Sequence, residues 1–83
     1  MNHQELLRRI SLDPNVCFGK PCIRGTRIWV ATLMDNLADG MTEAEILAAY
    51  PQINPEDIRA ALAYAAKMTR EQVIPIPFEA TGS

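Results

Sequence analysis

The stretch Gly19-Lys20-Pro21-Cys22-Ile23-Arg24-Gly25-Thr26-Arg27-Ile28 decides the fold of this chain. Polar and apolar residues alternate on both sides of Gly25, and alternation around a glycine pivot predicts a tight β-hairpin or a bulged bend. A helix is excluded here because Pro21 and Gly25 would interrupt it twice. We expect an inner turn at residues 19–21, within a short β-hairpin segment that spans residues 10–28.

Three helical segments are predicted after the β segment, at about residues 29–39, 42–50 and 54–69. Gly40 stands where the first helix needs a left-handed C-terminal cap. Thr42 precedes the second helix and is followed three residues later by Glu45, which is the pattern of a capping box. Asn54 is the expected cap of the third helix.

Apolar residues recur at helical spacing in these segments. We expect the helical core to consist of Leu33, Leu37, Ile46, Leu47, Ile58 and Leu62. The second and third helices have the spacing of a helix-turn-helix, and the first completes a bundle of the homeodomain type. The predicted fold is mainly α: a homeodomain-like three-helix (helix-turn-helix) bundle preceded by a short β-hairpin segment. A small bundle with no DNA-binding role has equally short connections, so that alternative stays open.

The length of 83 residues suits one domain, which we place at residues 10–69, between an N-terminal segment (1–9) and an extended tail (70–83). No apolar run reaches the length of a membrane span and no signal peptide is visible, so we expect a cytoplasmic protein without a membrane partner. A core of this size is marginal. We therefore expect a homodimer in which the β segments of two chains pair.

The formal net charge of −2 conceals an uneven distribution. Residues 1–27 carry five basic and two acidic side chains, whereas residues 28–83 carry three basic and eight acidic ones. A positive N-terminal third suits phosphate, but an acidic pI of about 5.2 argues against indiscriminate nucleic-acid binding.

Basic residues on two elements are the candidate contacts with double-stranded DNA. The outer face of the third helix is expected to carry three of them together with Ala63, and the β segment carries the other two. The candidates are Arg24, Arg27, Arg59, Lys67 and Arg70. The alternative is that these side chains are solvated or paired with carboxylates. Glu56 and Asp57 place two carboxylates at the start of the third helix, where they stabilise the helix dipole and would repel the phosphates of DNA.

An apolar tail interrupted by two prolines is the candidate partner-binding segment, through Val73, Ile74, Ile76 and Phe78. Folding back over the chain's own bundle or over a dimer mate explains this composition equally well. We predict no enzyme activity, no metal site and no cofactor. His3 is the sole histidine, Cys17 and Cys22 lack further ligands, and no glycine-rich phosphate loop is present.

Five stretches form a recognisable combination: Ile10-Ser11-Leu12-Asp13-Pro14, residues 19–28, Gly40-Met41-Thr42-Glu43-Ala44-Glu45-Ile46-Leu47, Tyr50-Pro51 and Ile58-Arg59-Ala60-Ala61-Leu62-Ala63-Tyr64-Ala65. On these residues the chain resembles, over roughly residues 10–70, the family called domain of unknown function 433. The resemblance implies a homeodomain-like bundle after a β segment, and a likeness to antitoxins of type II toxin–antitoxin modules. The neighbours of such antitoxins are PIN-like ribonuclease toxins.

The leading hypothesis is an antitoxin that binds a PIN-like toxin and its own operator DNA. One alternative is a stand-alone helix-turn-helix regulator of transcription. The other is a protein-interaction adaptor that does not bind nucleic acid.

Overall fold

Four helices and one short antiparallel hairpin make up residues 1–71, the part of the chain that the structure, a computed structural model, describes. In chain order the elements are α1 (His3–Leu7), β1 (Ile10–Ser11), β2 (Cys22–Ile23), α2 (Val30–Ala38), α3 (Glu43–Ala49) and α4 (Pro55–Glu71). β1 and β2 pair with Ile10 opposite Ile23 and Ser11 opposite Cys22. The prediction of a mainly α fold with a β-hairpin segment is confirmed.

The residues expected to cap the helices are found in those roles. Gly40 follows α2 with a φ of +91°, a conformation that favours glycine. Before α3, the amide of Glu45 donates to Thr42 Oγ1 at 3.1 Å and the amide of Thr42 donates to Glu45 Oε1 at 2.8 Å. At the start of α4, the amide of Asp57 donates to Asn54 Oδ1 at 3.2 Å. These local bonds satisfy the free backbone groups at the helix ends.

A tight turn around Gly25 follows β2, as the alternation predicts. Gly25 has a φ of +83°, the amide of Thr26 donates to the carbonyl of Ile23 at 3.0 Å, and that of Ile23 donates to the carbonyl of Ile28 at 2.9 Å. The Thr26 hydroxyl also donates to the carbonyl of Ile23, at 2.8 Å. The turn is therefore held by both backbone and side-chain hydrogen bonds.

The predicted inner turn of a hairpin at residues 19–21 is wrong. Residues 12–21 form a longer connection between β1 and β2, and it contains a single 3-10 turn at Cys17–Gly19. Pro14 and Pro21 have no amide to donate, so this connection does not extend the ladder of the two strands.

Three of the six predicted core residues, Leu33, Ile46 and Ile58, are fully buried, and Leu37 and Leu47 pack against them half-buried. Leu62 was expected in the core, but this is wrong, because 47% of its surface is exposed.

Beyond Ile58, the buried face of α4 consists of alanines. Ala60, Ala61 and Ala63 are all buried, and they let α1 and the other elements approach the helix closely. The prediction that Ala63 lies on an outer, solvent-facing row is therefore wrong as well. α4 contacts α1, β1, α2 and α3, so it is the element around which residues 1–71 are assembled. None of the described helices is long and apolar enough to cross a membrane.

Candidate functional site

An ion pair lies at the start of α4. Arg9 Nη1 is 3.1 Å from Asp57 Oδ1, and the Asp57 side chain is 10% exposed. The amide of Asn54 donates to the other carboxylate oxygen at 3.1 Å. The positive end of the helix dipole also favours a carboxylate at this position. The negative charge of Asp57 is therefore compensated inside the fold and is not presented to an approaching ligand.

Arg24 joins the Gly25 turn to the N-terminal elements. Its Nε donates to the carbonyl of Arg8 at 2.8 Å, and its Nη2 donates to the carbonyl of Ile10 at 2.9 Å. Its backbone amide donates to the carbonyl of Arg9 at 2.7 Å. The structure thus gives this predicted DNA-binding residue an internal bonding role, which sequence reasoning missed.

Arg27 lies beside a polar depression of about 550 Å³. The depression is lined by Ser11, Val16, Gly25, Thr26, Arg27 and Gln52. Gln52 belongs to the connection between α3 and α4, so this connection and the Gly25 turn meet at one surface. Within residues 1–71, no carboxylate forms an ion pair with Arg27. The exposed guanidinium of Arg27 and the exposed amide of Gln52 are groups that proteins use to contact phosphates, whereas the Thr26 hydroxyl already donates to the Ile23 carbonyl.

The basic residues of α4 are separated from one another. Arg59 is exposed beside Met1 and His3, where it lines a shallow pocket. Lys67 Nζ donates to Glu71 Oε2 at 2.8 Å, and Arg70 is exposed on the last turn. Arg59 and Arg70 are eleven positions apart on the helix, which is roughly 16 Å. The five predicted DNA contacts therefore do not form one continuous patch.

An apolar groove of about 380 Å³ runs between the start of α2 and the last turns of α4. It is lined by Lys20, Pro21, Trp29, Val30, Ala31, Tyr64, Ala65, Met68 and Thr69. Sequence reasoning missed this groove because its two walls are more than thirty residues apart in the chain. The predicted partner contacts Val73, Ile74, Ile76 and Phe78 lie outside the described residues.

The two cysteines do not form a reactive site. Cys22 is completely buried and its Sγ donates to the carbonyl of Thr26 at 3.6 Å. Burial, together with the neighbouring thiol of Cys17, raises the pKa of Cys22 to about 11. The Cys22 thiol is therefore protonated at neutral pH, and a thiol is a poor nucleophile and metal ligand. Among residues 1–71, no three His, Cys, Asp or Glu side chains come together to hold a metal ion.

The raised pKa of Cys22 predicts a loss of stability in alkali. The pKa of the thiol is near 9.0 in the unfolded chain and about 11 in the fold. The unfolded state is therefore favoured progressively as the pH rises from 9 to 11. Urea titrations across this range should show a steeper loss of unfolding free energy in the wild type than in Cys22→Ala. If the unfolding free energies of the two proteins fall equally with pH, the Cys22 thiol is not held buried and protonated in the fold.

Comparison with known proteins agrees with the motifs in the sequence. The family model described as "Protein of unknown function (DUF433)" matches residues 10–65, from β1 to the middle of α4. The chain is also similar to the crystal structure of a DUF433 member protein from Anabaena variabilis ATCC 29413. The two share 38% sequence identity and superpose with a TM-score of 0.71, over 82% of this chain and 67% of that chain. A search of curated proteins finds no match. The chain therefore belongs to the DUF433 family.

Proposed function

We propose that this protein is the antitoxin of a type II toxin–antitoxin module and binds both operator DNA and a PIN-like ribonuclease toxin. The observation that carries the proposal is the packing of α2, α3 and α4 against one another, with α3 and α4 joined only by residues 50–54. Short-linked helices packed on a third are the arrangement of a homeodomain-like helix-turn-helix.

The operator surface is proposed where the α3–α4 connection meets the Gly25 turn. In a helix-turn-helix, the turn and the start of the second helix approach the DNA. Gln52 lies in that turn, Arg27 lies next to it, and Arg59 is exposed on the second turn of α4. The ion pair between Arg9 and Asp57 reduces the repulsion that a carboxylate at this helix start would exert on phosphates.

The predicted homodimer fits this proposal, because two copies are needed to contact two half-sites of an operator. Arg24 and Lys67 are expected to contribute less than Arg27, since both already bind groups of the chain itself. Arg70 is a weaker candidate for DNA contact, because it lies in the last turn of α4, at the opposite end from the proposed operator surface.

The toxin-binding half of the proposal is supported by an exposed aromatic side chain. Phe18 is 89% exposed, on a turn held by a hydrogen bond of 2.9 Å from the Lys20 amide to the Cys17 carbonyl. Aromatic side chains on well-held backbone are common anchors in protein interfaces. Val73, Ile74, Ile76 and Phe78 remain the other proposed toxin contacts, on the strength of their composition.

Replacing both proposed phosphate contacts should weaken operator binding. For Arg27→Ala/Arg59→Ala we expect a roughly 10- to 100-fold weaker affinity for the chain's own promoter. The slope of log affinity against log salt should flatten by about 0.9 for each lost phosphate contact. Fluorescence anisotropy in a salt series measures both quantities.

Lys20→Ala is the matched control, since it removes a positive charge beside the apolar groove and away from the polar depression. Circular dichroism must show that all variants are folded. If the double variant binds like the wild type, or if the control weakens binding equally, the proposed surface is wrong.

The toxin-binding proposal requires a PIN-like reading frame next to this gene, and it is tested by co-expressing the two proteins. The antitoxin proposal expects the two proteins to copurify and growth to be rescued, with rescue reduced in Phe18→Ala. Promoter binding without such a partner would instead support the stand-alone regulator.

One observation favours the adaptor without nucleic-acid binding. The row of α4 that carries Arg59 and Lys67 is partly covered, because Ala63 between them is buried and α1 packs against this helix. Together with the net charge of −2, this leaves a small positive surface for DNA. Absence of measurable binding to either the native promoter or a scrambled duplex, in a protein that still binds its partner protein, would select this second candidate.

A further inference from the structure

One aromatic side chain lies on each side of the apolar groove between α2 and α4. Trp29, just before α2, and Tyr64 on α4 are both only partly buried, and Met68 continues the wall towards the end of α4. Ala31 is exposed at its rim. Exposed apolar surface that is concave and continuous is a docking site in most proteins, because filling it removes that surface from water.

We propose that this groove binds the C-terminal segment of the same chain, Val73-Ile74-Pro75-Ile76-Pro77-Phe78. Prolines favour an extended polyproline-like conformation, and proline-containing segments bind in grooves lined by aromatic side chains. The segment carries no charge and four large apolar residues, which matches the apolar character of the groove.

The chain is long enough to return to the groove. Met68 and Thr69 line the groove, and α4 ends at Glu71, directly before the segment. From Glu71 back to Tyr64 is roughly 10 Å along the helix. Six residues in an extended polyproline-like conformation span about 19 Å. About 10 Å takes three to four such residues, so two to three of the six, together with Gln72 before them, are left for reversing the chain direction.

Attachment to α4 favours the segment of the same chain over a competitor. A short linker holds its segment near the groove at an effective concentration in the millimolar range. A second copy of the protein or a separate partner reaches that concentration only in very concentrated solution. In the free protein the segment then occupies the groove, so its four apolar residues would contact a toxin only after leaving the groove. The test of the groove uses neither toxin nor DNA.

Trp29 is the only tryptophan of the chain, so its fluorescence reports directly on the groove. In the full chain, Ile74→Asp/Ile76→Asp should expose Trp29, with a higher acrylamide quenching constant and a red-shifted emission. Thr81→Asp/Ser83→Asp is the matched control: it adds the same two charges beyond the segment and should leave both readouts at the wild-type values. Equal quenching in the three proteins would overturn the proposal.

A second pair of variants tests the groove itself. Ala31→Arg places a bulky charge at the rim, whereas Ala38→Arg places it on the same helix outside the groove. Heteronuclear NOE values of Ile74 and Ile76 amides should fall only in Ala31→Arg. The proposal is also overturned if these values, or the protection of Trp29, fall on dilution of the wild type, because the segment would then come from a second copy.

Discussion

Replacing Ile46 with alanine is expected to lower the free energy of unfolding by about 2–5 kcal/mol. Ile46 is completely buried and belongs to the cluster that joins α3 to α2 and α4. Alanine would remove apolar contacts and leave a cavity, because the surrounding helices are held by caps at their ends and relax only in part. Chemical denaturation followed by circular dichroism measures the difference.

Leu62→Ala is the matched control for Ile46→Ala. It removes a side chain of similar size from α4, but Leu62 is 47% exposed and has fewer packing contacts to lose. We expect a cost below about 1 kcal/mol. A cost equal to that of Ile46→Ala would show that Leu62 is buried in the protein and that the face of α4 has been assigned wrongly.

Asp57→Ala is expected to lower the free energy of unfolding by about 2–3 kcal/mol. The substitution removes the ion pair with Arg9 and the hydrogen bond from the Asn54 amide, at one helix end. The Arg9 side chain is 32% exposed, so water partly solvates its charge and the loss stays below that of a fully buried pair.

Glu56→Ala is the control for the helix-dipole contribution, since Glu56 lies in the same first turn and forms no ion pair within residues 1–71. Its expected cost is below about 1 kcal/mol. A double-mutant cycle with Arg9→Ala should give a coupling energy of about 1–2 kcal/mol between Arg9 and Asp57. A coupling near zero would contradict a stabilising role for this ion pair.

The ends of the helices could be predicted because their signals are local. Gly40, Thr42 with Glu45, and Asn54 each act within a few residues, and the structure shows the expected hydrogen bonds or backbone conformation at each. The turn around Gly25 was predictable for the same reason, since only glycine readily adopts its positive φ.

The packing of α1 on α4 could not be predicted in this way. The short helix α1 covers alanines of α4, and alanine carries little information about which face of a helix is buried. The inward face was therefore assigned to Leu62, the larger apolar residue. The structure places the smaller Ala63 inside instead, because a small side chain permits the close approach of the two helices.

The candidate site depends on contacts between distant parts of the chain. Arg9 and Asp57 are 48 residues apart, and the side chain of Arg24 binds carbonyls 14 and 16 residues away. The sequence shows which residues carry a positive charge. It does not show which of these side chains bind groups of the chain itself. Only the folded arrangement brings Arg27 next to Gln52, whereas it turns the side chains of Arg24 and Lys67 to groups of the chain itself.

The central claim, an operator surface where the α3–α4 connection meets the Gly25 turn, is tested most directly by NMR. The ¹⁵N-labelled full chain is titrated with its own promoter duplex and with a scrambled duplex of the same composition. We predict that the native duplex shifts the amide signals of Gly25, Arg27, Gln52 and Arg59 at lower concentrations than the scrambled one, and that added salt reverses the shifts. Equal shifts with both duplexes, or shifts confined to residues away from this surface, would contradict the claim.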